Sequence, residues 1–589
     1  MSHTTTGWST TLATFVAAAV GLGVFAGPSR AEACGGFFCN RQQPVEQSAE
    51  QIVFADNGDG TVTAIVQIKY QGPSEKFAWL LPMPGKPDVG VSSSTVFSRL
   101  DRATRPQYRA RIEEIKGECR RRRRFASGAG GGGADAAAAG RDAGTDRGVQ
   151  VVDEGAVGPY QYTTISVADG ADDPAKTALN WLKNHGYDLT DIGPGLIRQY
   201  LNQGLNLIAF KLKKHTPSGE IRPVKLTYSD SEPMIPIKLT AVAAKEDMGV
   251  LVWVLGEHRA VPKSYKQVEL NPAAVDWFNP QSNYDEVVTA AADEAGSRAF
   301  VTEYADESSE IEDSVFNEGN ARQWKEFVRD DWKGREGRLL ISSLRQFGRW
   351  DGIQRVVRKE VPLPEGEDGE PVTASEFMQN PLRYYDGSEN DIQGFEPQSY
   401  LDTLKKNVVE PVRKGEKLVQ SRPYLTRLYT TLSPDEMTVD PRFDFNAQLG
   451  DVGRRHVARL TLYCNPSISR REAPWKAVLP DGTVVWGKGR DWPLGPGKEA
   501  EQQVPASKKV RKASTTGKGE LVQDNSKTIE TKVEKHNEST GFDRPPNTSG
   551  GTGCGCGAAG DRPNPAPWAL FVGLVFGASR LRRRRRGER

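Results

Sequence analysis

The chain is poor in the residues that most often do chemistry near neutral pH, with six histidines and six cysteines in 589 positions. The histidines are scattered, and neither "CGGFFC" nor "GCGC" has a second pair at ligand spacing, so no zinc or other metal site is expected. No G-x-S-x-G elbow, H-E-x-x-H helix or P-loop occurs, and no G-x-G-x-x-G follows a strand. Those gaps exclude the common motif-bearing hydrolases, zinc proteases and nucleotide or dinucleotide enzymes. They leave no catalytic residue and no cofactor to name. Apolar residues are also sparse, at 37% with a mean hydropathy of -0.56, while glycine and proline number 60 and 37. Polar linkers therefore dilute the folded material, and about three quarters of the chain is expected to fold.

Charge gives a further exclusion. The net charge of +2 hides a segregation, because seven of the last ten residues are arginine. Without residues 1–33 and 557–589 the body holds 69 basic and 73 acidic residues. Such a body is not a nucleic-acid binder by bulk charge.

What is present begins at the two ends. Leu12 to Gly27 is a run of sixteen largely apolar residues, and "PSRAEA" follows before Cys34. Small Ala31 and Ala33 stand where signal peptidase reads an A-x-A site, so residues 1–33 read as a signal peptide cleaved after Ala33. The first residues carry no Lys or Arg, and a retained N-terminal anchor is the alternative. A lipoprotein site at Cys34 wants a Leu-like residue three positions earlier, where Ala31 stands.

At the other end, Trp568 to Ala578 is an apolar run of eleven residues, about 17 Å as a helix against a hydrocarbon core near 30 Å. It is short for a permanent anchor. Arg582, Arg583, Arg584, Arg585 and Arg586 form a cytoplasmic stop by the positive-inside rule. Cys554 or Cys556, short apolar helix and arginine patch, in that order, resemble the myxobacterial C-terminal sorting signal. The resemblance covers residues 554–589. It implies cleavage by a sortase-like membrane protease and lipid attachment at one of the two cysteines. A plain tail anchor is the competing reading.

Export makes the remaining cysteines disulfide candidates. Cys34 and Cys39 close a short loop over "GGFF", whose glycines permit a tight path. Cys119 and Cys464 are then left over as a pair, by arithmetic alone.

Two stretches read as low-complexity linkers. Residues 494–553 are rich in Lys, Ser, Thr and Gly, and read as a disordered spacer that holds the body off a membrane. Residues 119–148 carry five consecutive arginines and a glycine-rich run, and read as a solvated insertion.

The body is expected to be α+β, a mostly antiparallel sheet with packed helices and a helical insertion. "QIVFADNGDGTVTA" reads as a hairpin, with its second strand half-buried by the alternation of Val62, Ala64, Val66 and Ile68. Gly58 at the third position and the lack of a closing Glu argue against a calcium loop there. "FAWLLPMPG" suits a sheet edge. "STVFSRLDRATRPQYRARIEEIK" reads as helical material broken before Pro106, with Tyr108, Ile112 and Ile115 on one face. "DDPAKTALNWLKNHGY" is a helix capped by Asp173, started by Pro174 and ended at Gly186, with His185 near its free carbonyls.

"LNLIAFKLKK", "IRPVKLTYSD", "IPIKLTAVAA" and "GVLVWVLGEH" read as strands of one sheet, with Ile208, Phe210, Leu212, Leu226, Ile237 and Leu239 inward. His258 falls in the loop after them. Val287, Val288 and Ala291 mark the buried side of a helix. The segments are 34–118 (β-rich), 149–311 (sheet and helix), 312–420 (mainly helical, with Trp324, Phe327 and Val328 on one side) and 421–493 (β-rich). Leu460, Leu462 and Cys464 share a strand face, and the fold is expected to close near Trp492.

Together "ACGGFFC", "PVEQSAEQIVFA", "WLLPMPG", "AADEAGSRAFVTEYA" and "TRLYTTLSPDEMTVDP" resemble the family of exported bacterial proteins called domain of unknown function 2330. The resemblance spans most of residues 33–465. It implies no activity and carries over no catalytic residue.

The acidic run of Glu303, Asp306, Glu307, Glu310, Glu312 and Asp313 reads as a solvated loop rather than a calcium site or a catalytic carboxylate pair. The leading functional reading is an exported, envelope-tethered, non-catalytic module that binds envelope glycan or protein, processed by signal peptidase and a sortase-like protease and held to a membrane by lipid or tail. The alternatives are a secreted carboxylate-dependent hydrolase and an inner-membrane, tail-anchored assembly factor.

Overall fold

The strand Ala244–Gly256 is buried at every residue from Val250 to Gly256. A strand apolar on both faces has to be covered on both. In the computed structural model of the chain it lies at the middle of a ten-stranded sheet, parallel to Glu46–Asp56 and antiparallel to Tyr424–Leu432. The structure describes Phe37–Phe38 and residues 46–542, apart from 72–77, 116–148, 168–171, 188–191, 214–220, 231, 243, 367–368 and 465–466. All of these belong to one compact unit, residues 1–544.

The sheet runs from the edge strand Leu521–Asp524 through Ser507–Lys512, Lys266–Leu270, Ala299–Glu307, Tyr424–Leu432, Ala244–Gly256, Glu46–Asp56, Thr61–Gln71 and Val224–Ser229 to Asp88–Val91. Its alternation sorts side chains into two cores. Val53, Ala55, Ile65, Leu251 and Trp253 face a block of helices between Glu318 and Gln420. Ile52, Phe54, Ala64, Val250 and Val252 face Trp79, Leu81, Ile208 and Phe210 of a five-stranded sheet. The outer face of that second sheet, with Leu80, Ile165 and Leu207, is covered by the helices Pro174–Asn184 and Pro194–Leu201. The order is helices, sheet, sheet, helices. A four-stranded sheet, Val484–Lys488, Pro474–Val478, Arg455–Tyr463 and Gln107–Ile115, closes a further core around Trp475, Trp492 and Leu460. Most pairings are antiparallel, so the α+β architecture read from the sequence is the one observed.

Local readings with a physical signal hold. The hairpin turns at Asp56–Thr61, where Asp56 accepts from the Gly58 N–H at 2.9 Å and Asp59 from the Thr61 N–H at 3.0 Å. Asp173 caps its helix by accepting from the Lys176 N–H. His185 sits at the C-cap, its Nδ1 2.7 Å from the Trp181 carbonyl. His258 lies in an exposed turn, Val287, Val288 and Ala291 are buried, and Leu460, Leu462 and Cys464 share the buried face.

Several expectations are corrected. The stretch expected as a disordered spacer, 494–553, is folded through residue 542, so the body does not close at Trp492. Ser507–Lys512 and Leu521–Asp524 extend the large sheet, and Ser526–Thr540 is a helix. The segment has little apolar area of its own, but its backbone pairs with a sheet edge built elsewhere. Val504, Val510, Ile529 and Val533 fill a core that the rest of the chain provides.

Gln107–Ile115, expected as helix, is a strand parallel to Arg455–Tyr463. Pro106 ends the preceding helix, and the residues after it follow period two. Ile237–Thr240, expected as strand, is a short helix behind Pro236. The strand Leu205–Leu212 and the strands Val224–Ser229 and Ala244–Gly256 lie in two facing sheets rather than one. Leu239 accordingly joins the outer core, away from Ile208, Phe210 and Ile237. The strand Thr61–Gln71 is buried on both faces over residues 62–66, with Thr63 and Ile65 covered like Val62. Val328 is 58% exposed, unlike Trp324 and Phe327.

Candidate functional site

Ser93 caps the helix Ser94–Thr104 by accepting from the Thr95 N–H at 3.2 Å, which fixes where that helix begins. Its first turn is clasped to the turn 348–352. The Ser94 N–H donates to Asp351 Oδ2 at 3.1 Å, and the Asp351 N–H donates to Thr95 Oγ1 at 3.0 Å. Gly352 makes this turn possible, with φ +85° and a position where a Cβ would stand 2.6 Å from the Asn407 carbonyl oxygen. The helix Ile353–Glu360 starts directly from it.

Between these pieces opens a cleft of about 770 Å³. Its sheet-side wall carries Gln51 and Gln67, which stand opposite each other in the strand register. Arg105, Arg222, Arg349 and Arg355 outnumber Asp101 and Asp351 on its lining. Arg222 is the unusual member. Its side chain is 3% exposed; Nε donates to the Ser92 carbonyl at 3.1 Å, and Asp351 is 3.9 Å away. Nη2, however, has no partner, and neither does Gln67 Oε1. Burial pushes the Arg222 guanidinium below its ordinary pKa; Asp351 opposes this, and the like charge of Arg355 adds to it. A buried N–H of a permanent cation without an acceptor costs about 1–3 kcal/mol or more, so the cleft is incomplete as it stands.

Both carboxylates of the cleft are engaged. Asp101 pairs with Arg105 and accepts from Arg427 Nη1 at 2.9 Å, and Asp351 takes the Ser94 amide. The guanidinium of Arg427, with a side chain 6% exposed, continues to Glu303 on its other side. Tyr284 donates its hydroxyl to Glu303 at 2.6 Å, and Trp253 and Arg427 share Thr104 Oγ1 at 2.9 and 3.2 Å. Burial works against the Arg427 charge, but Glu303 and Asp101 outweigh it and raise its pKa.

Glu303 also lines a second cavity of about 230 Å³, beside Tyr108, Tyr284 and His456. There the His456 ring stacks on Tyr108 at 4.5 Å, and burial lowers its pKa. Glu303, expected as part of a solvated acidic loop, is therefore a buried ion-pair partner. Glu307, Glu310 and Asp313 of that run are exposed. No group of three or more metal-ligating side chains occurs among the described residues.

Of the residues singled out in the sequence, Cys464 is buried and disulfide-bonded. The strand that ends just before it, Arg455–Tyr463, runs in parallel register with Gln107–Ile115, Tyr463 opposite Ile115. Ala31, Ala33, Cys34, Cys39, Cys119, Cys554, Cys556 and Arg582–Arg586 lie outside the described residues, as does Trp568–Ala578. No described helix is long and apolar enough to cross a membrane.

No sequence motif marks Gln51, Gln67, Arg222, Asp351 or Arg355 as functional. Each comes from a different local pattern and only the fold assembles them. The one signal available was Arg222 standing alone between Ile221 and the strand Val224–Ser229.

The family model described as "Uncharacterized protein conserved in bacteria (DUF2330)" matches residues 28–328. The chain belongs to this family. No curated protein and no solved structure matches it. The DUF2330 match contains Gln51, Gln67, Asp101 and Arg222 of the cleft, and Glu303 of the second cavity. The turn 348–352, Arg355 and Arg427 fall beyond it.

Proposed function

We propose that this DUF2330 protein is an exported, envelope-tethered, non-catalytic module that binds an envelope glycan or protein in the cleft between the helix Ser94–Thr104 and the turn 348–352. The observation that carries this reading is the pair of unpartnered buried polar atoms, Arg222 Nη2 and Gln67 Oε1, on the wall of a cleft sized for a small ligand.

Export rests on the apolar run Leu12–Gly27 with Ala31 and Ala33, cut by signal peptidase before Cys34. Tethering rests on Cys554 or Cys556, the short apolar run and the arginines 582–586, processed by a sortase-like membrane protease. Oxidation after export pairs Cys34 with Cys39 and Cys119 with Cys464. A secreted hydrolase needs a carboxyl pair free to donate and accept a proton. In the cleft Asp101 and Asp351 are both committed to guanidinium or amide groups, which favours binding over hydrolysis.

The test uses protein recovered from its native envelope. Its intact mass is expected to lack both ends and to carry acyl groups, and envelope fragments are expected to be retained by it unchanged in size. A mass that keeps the arginine tail makes an inner-membrane anchor the correct model. Fragments shortened by the protein make it a hydrolase, and fragments that do not bind overturn the module.

A further inference from the structure

We infer that the cleft takes an acidic saccharide, with a sugar carboxylate on Arg222 Nη2 and a neighbouring hydroxyl donating to Gln67 Oε1; this rests on the binding-module reading above. Four observations converge on that chemistry.

Arg222 is buried, its Nε is already used, and its Nη2 needs an acceptor that no described side chain gives. A planar carboxylate matches the guanidinium edge. Gln67 Oε1 on the same cleft needs a donor, which a bare anion lacks and a ring hydroxyl has. The cleft, at about 770 Å³, is far larger than one small ion. Apart from its charges, the lining is rich in amides and hydroxyls, including Gln51, Gln354, Gln379, Ser94 and Ser98, while half-buried Met378 gives an apolar surface for the CH face of a ring. An acidic peptide carries a carboxylate too, but it has fewer hydroxyl groups to meet such a wall.

The charge balance agrees. Arg355 and Arg222 repel each other at the cleft, and an anion between them relieves that repulsion. Arg349 is exposed at the mouth and adds attraction that weakens with salt.

The experiment is calorimetric titration of the intact mature protein with trigalacturonate, its methyl ester and triglutamate. The acid and its ester share one skeleton and differ in charge. Trigalacturonate is expected to bind at least about tenfold more tightly than the ester, as a charge-assisted contact requires. Arg222→Gln is expected to lower that ratio to about three, the share left to Arg355 and Arg349, and Gln67→Leu to weaken both sugars by about fivefold. Should Arg222→Gln fail to fold, Arg355→Ala at the cleft is expected to reduce the ratio about threefold.

Equal binding of acid and ester overturns the acidic-ligand inference and leaves the module reading standing. Tighter binding of triglutamate overturns it in favour of a peptide ligand. No binding of any of the three overturns it, and retention of envelope fragments then decides the module reading separately.

Discussion

Glu50 offers a sharp test of how the two facing sheets are packed. It lies on the strand Glu46–Asp56, 5% exposed, on the same face as Ile52 and Phe54, with Oε2 lacking a partner. Burial raises its pKa from 4.5 to about 7, and only the hydrogen bond with Thr240 works the other way. The folded protein therefore holds a proton on Glu50 between these two values when the unfolded chain does not. Stability must fall as pH rises through that window, by the sign of the proton-linkage relation.

At 1.36 kcal/mol per pKa unit, the penalty is about 1 kcal/mol at pH 5 and about 3 kcal/mol at pH 8. Glu50→Gln keeps the shape and the acceptor for Thr240 but cannot ionise. Its pH-independent cost, an extra amide donor, cancels when the two pH values are compared. Urea unfolding of both proteins, followed by tryptophan fluorescence, is expected to show the variant gaining about 2 kcal/mol relative to wild type between pH 5 and pH 8. A gain below about 0.5 kcal/mol would refute the reasoning, because it would mean that Glu50 is solvated or paired and the sheets are not closed over it.

Two further predictions concern parts of the fold that the sequence did not reveal. Limited proteolysis of the chain is expected to leave a resistant product ending near residue 542, and a chain truncated after residue 497 to lose on the order of 5 kcal/mol with the burial of Val510, Ile529 and Val533; a resistant product ending near 493 contradicts this. Arg427→Met is expected to cost about 3–5 kcal/mol by leaving Glu303 buried without its cation, with part of the loss restored by adding Glu303→Gln. Thermal melts of the single and double variants check this, and a single variant within about 1 kcal/mol of wild type counts against the network.

What was legible in the sequence was local. The turn at 56–61 shows itself because Asp56, Asp59 and two glycines bond within a few residues, and Asp173 with Pro174 marks a helix start for the same reason. Sheet partnership is not local. The strand Ser507–Lys512 looked too polar to order itself, and it does not have to, since Lys266–Leu270 supplies its hydrogen bonds and Glu294 accepts from its neighbouring amides.

The strand after Pro106 was ambiguous for a different reason. Tyr108, Ile112 and Ile115 fit a helix spacing, while Tyr108, Ala110 and Ile112 fit alternation; the segment is a strand whose alternation packs Tyr108 and Ala110 against the core but leaves Ile112 41% exposed. The cleft was illegible altogether, because residues 67, 101, 222 and 351 approach one another only when two sheet strands, a helix and a distant turn are in place.

The way Arg427 is held shows how the walls of the cleft are kept rigid, as the proposed binding role requires. One guanidinium ties Asp101 at the cleft to Glu303 at the second cavity and also touches Thr104, so the helix that forms one cleft wall is locked to the central sheet by charge as well as by Leu100 and Phe97. The opposite wall is locked to the same helix through the two Ser94–Thr95 contacts with Asp351. Walls fixed in this way do not have to be ordered when a ligand arrives, which removes a large part of the cost of binding. On the proposed reading, the groups left over for a ligand are the two unpaired atoms on the lining of the cleft, Arg222 Nη2 and Gln67 Oε1.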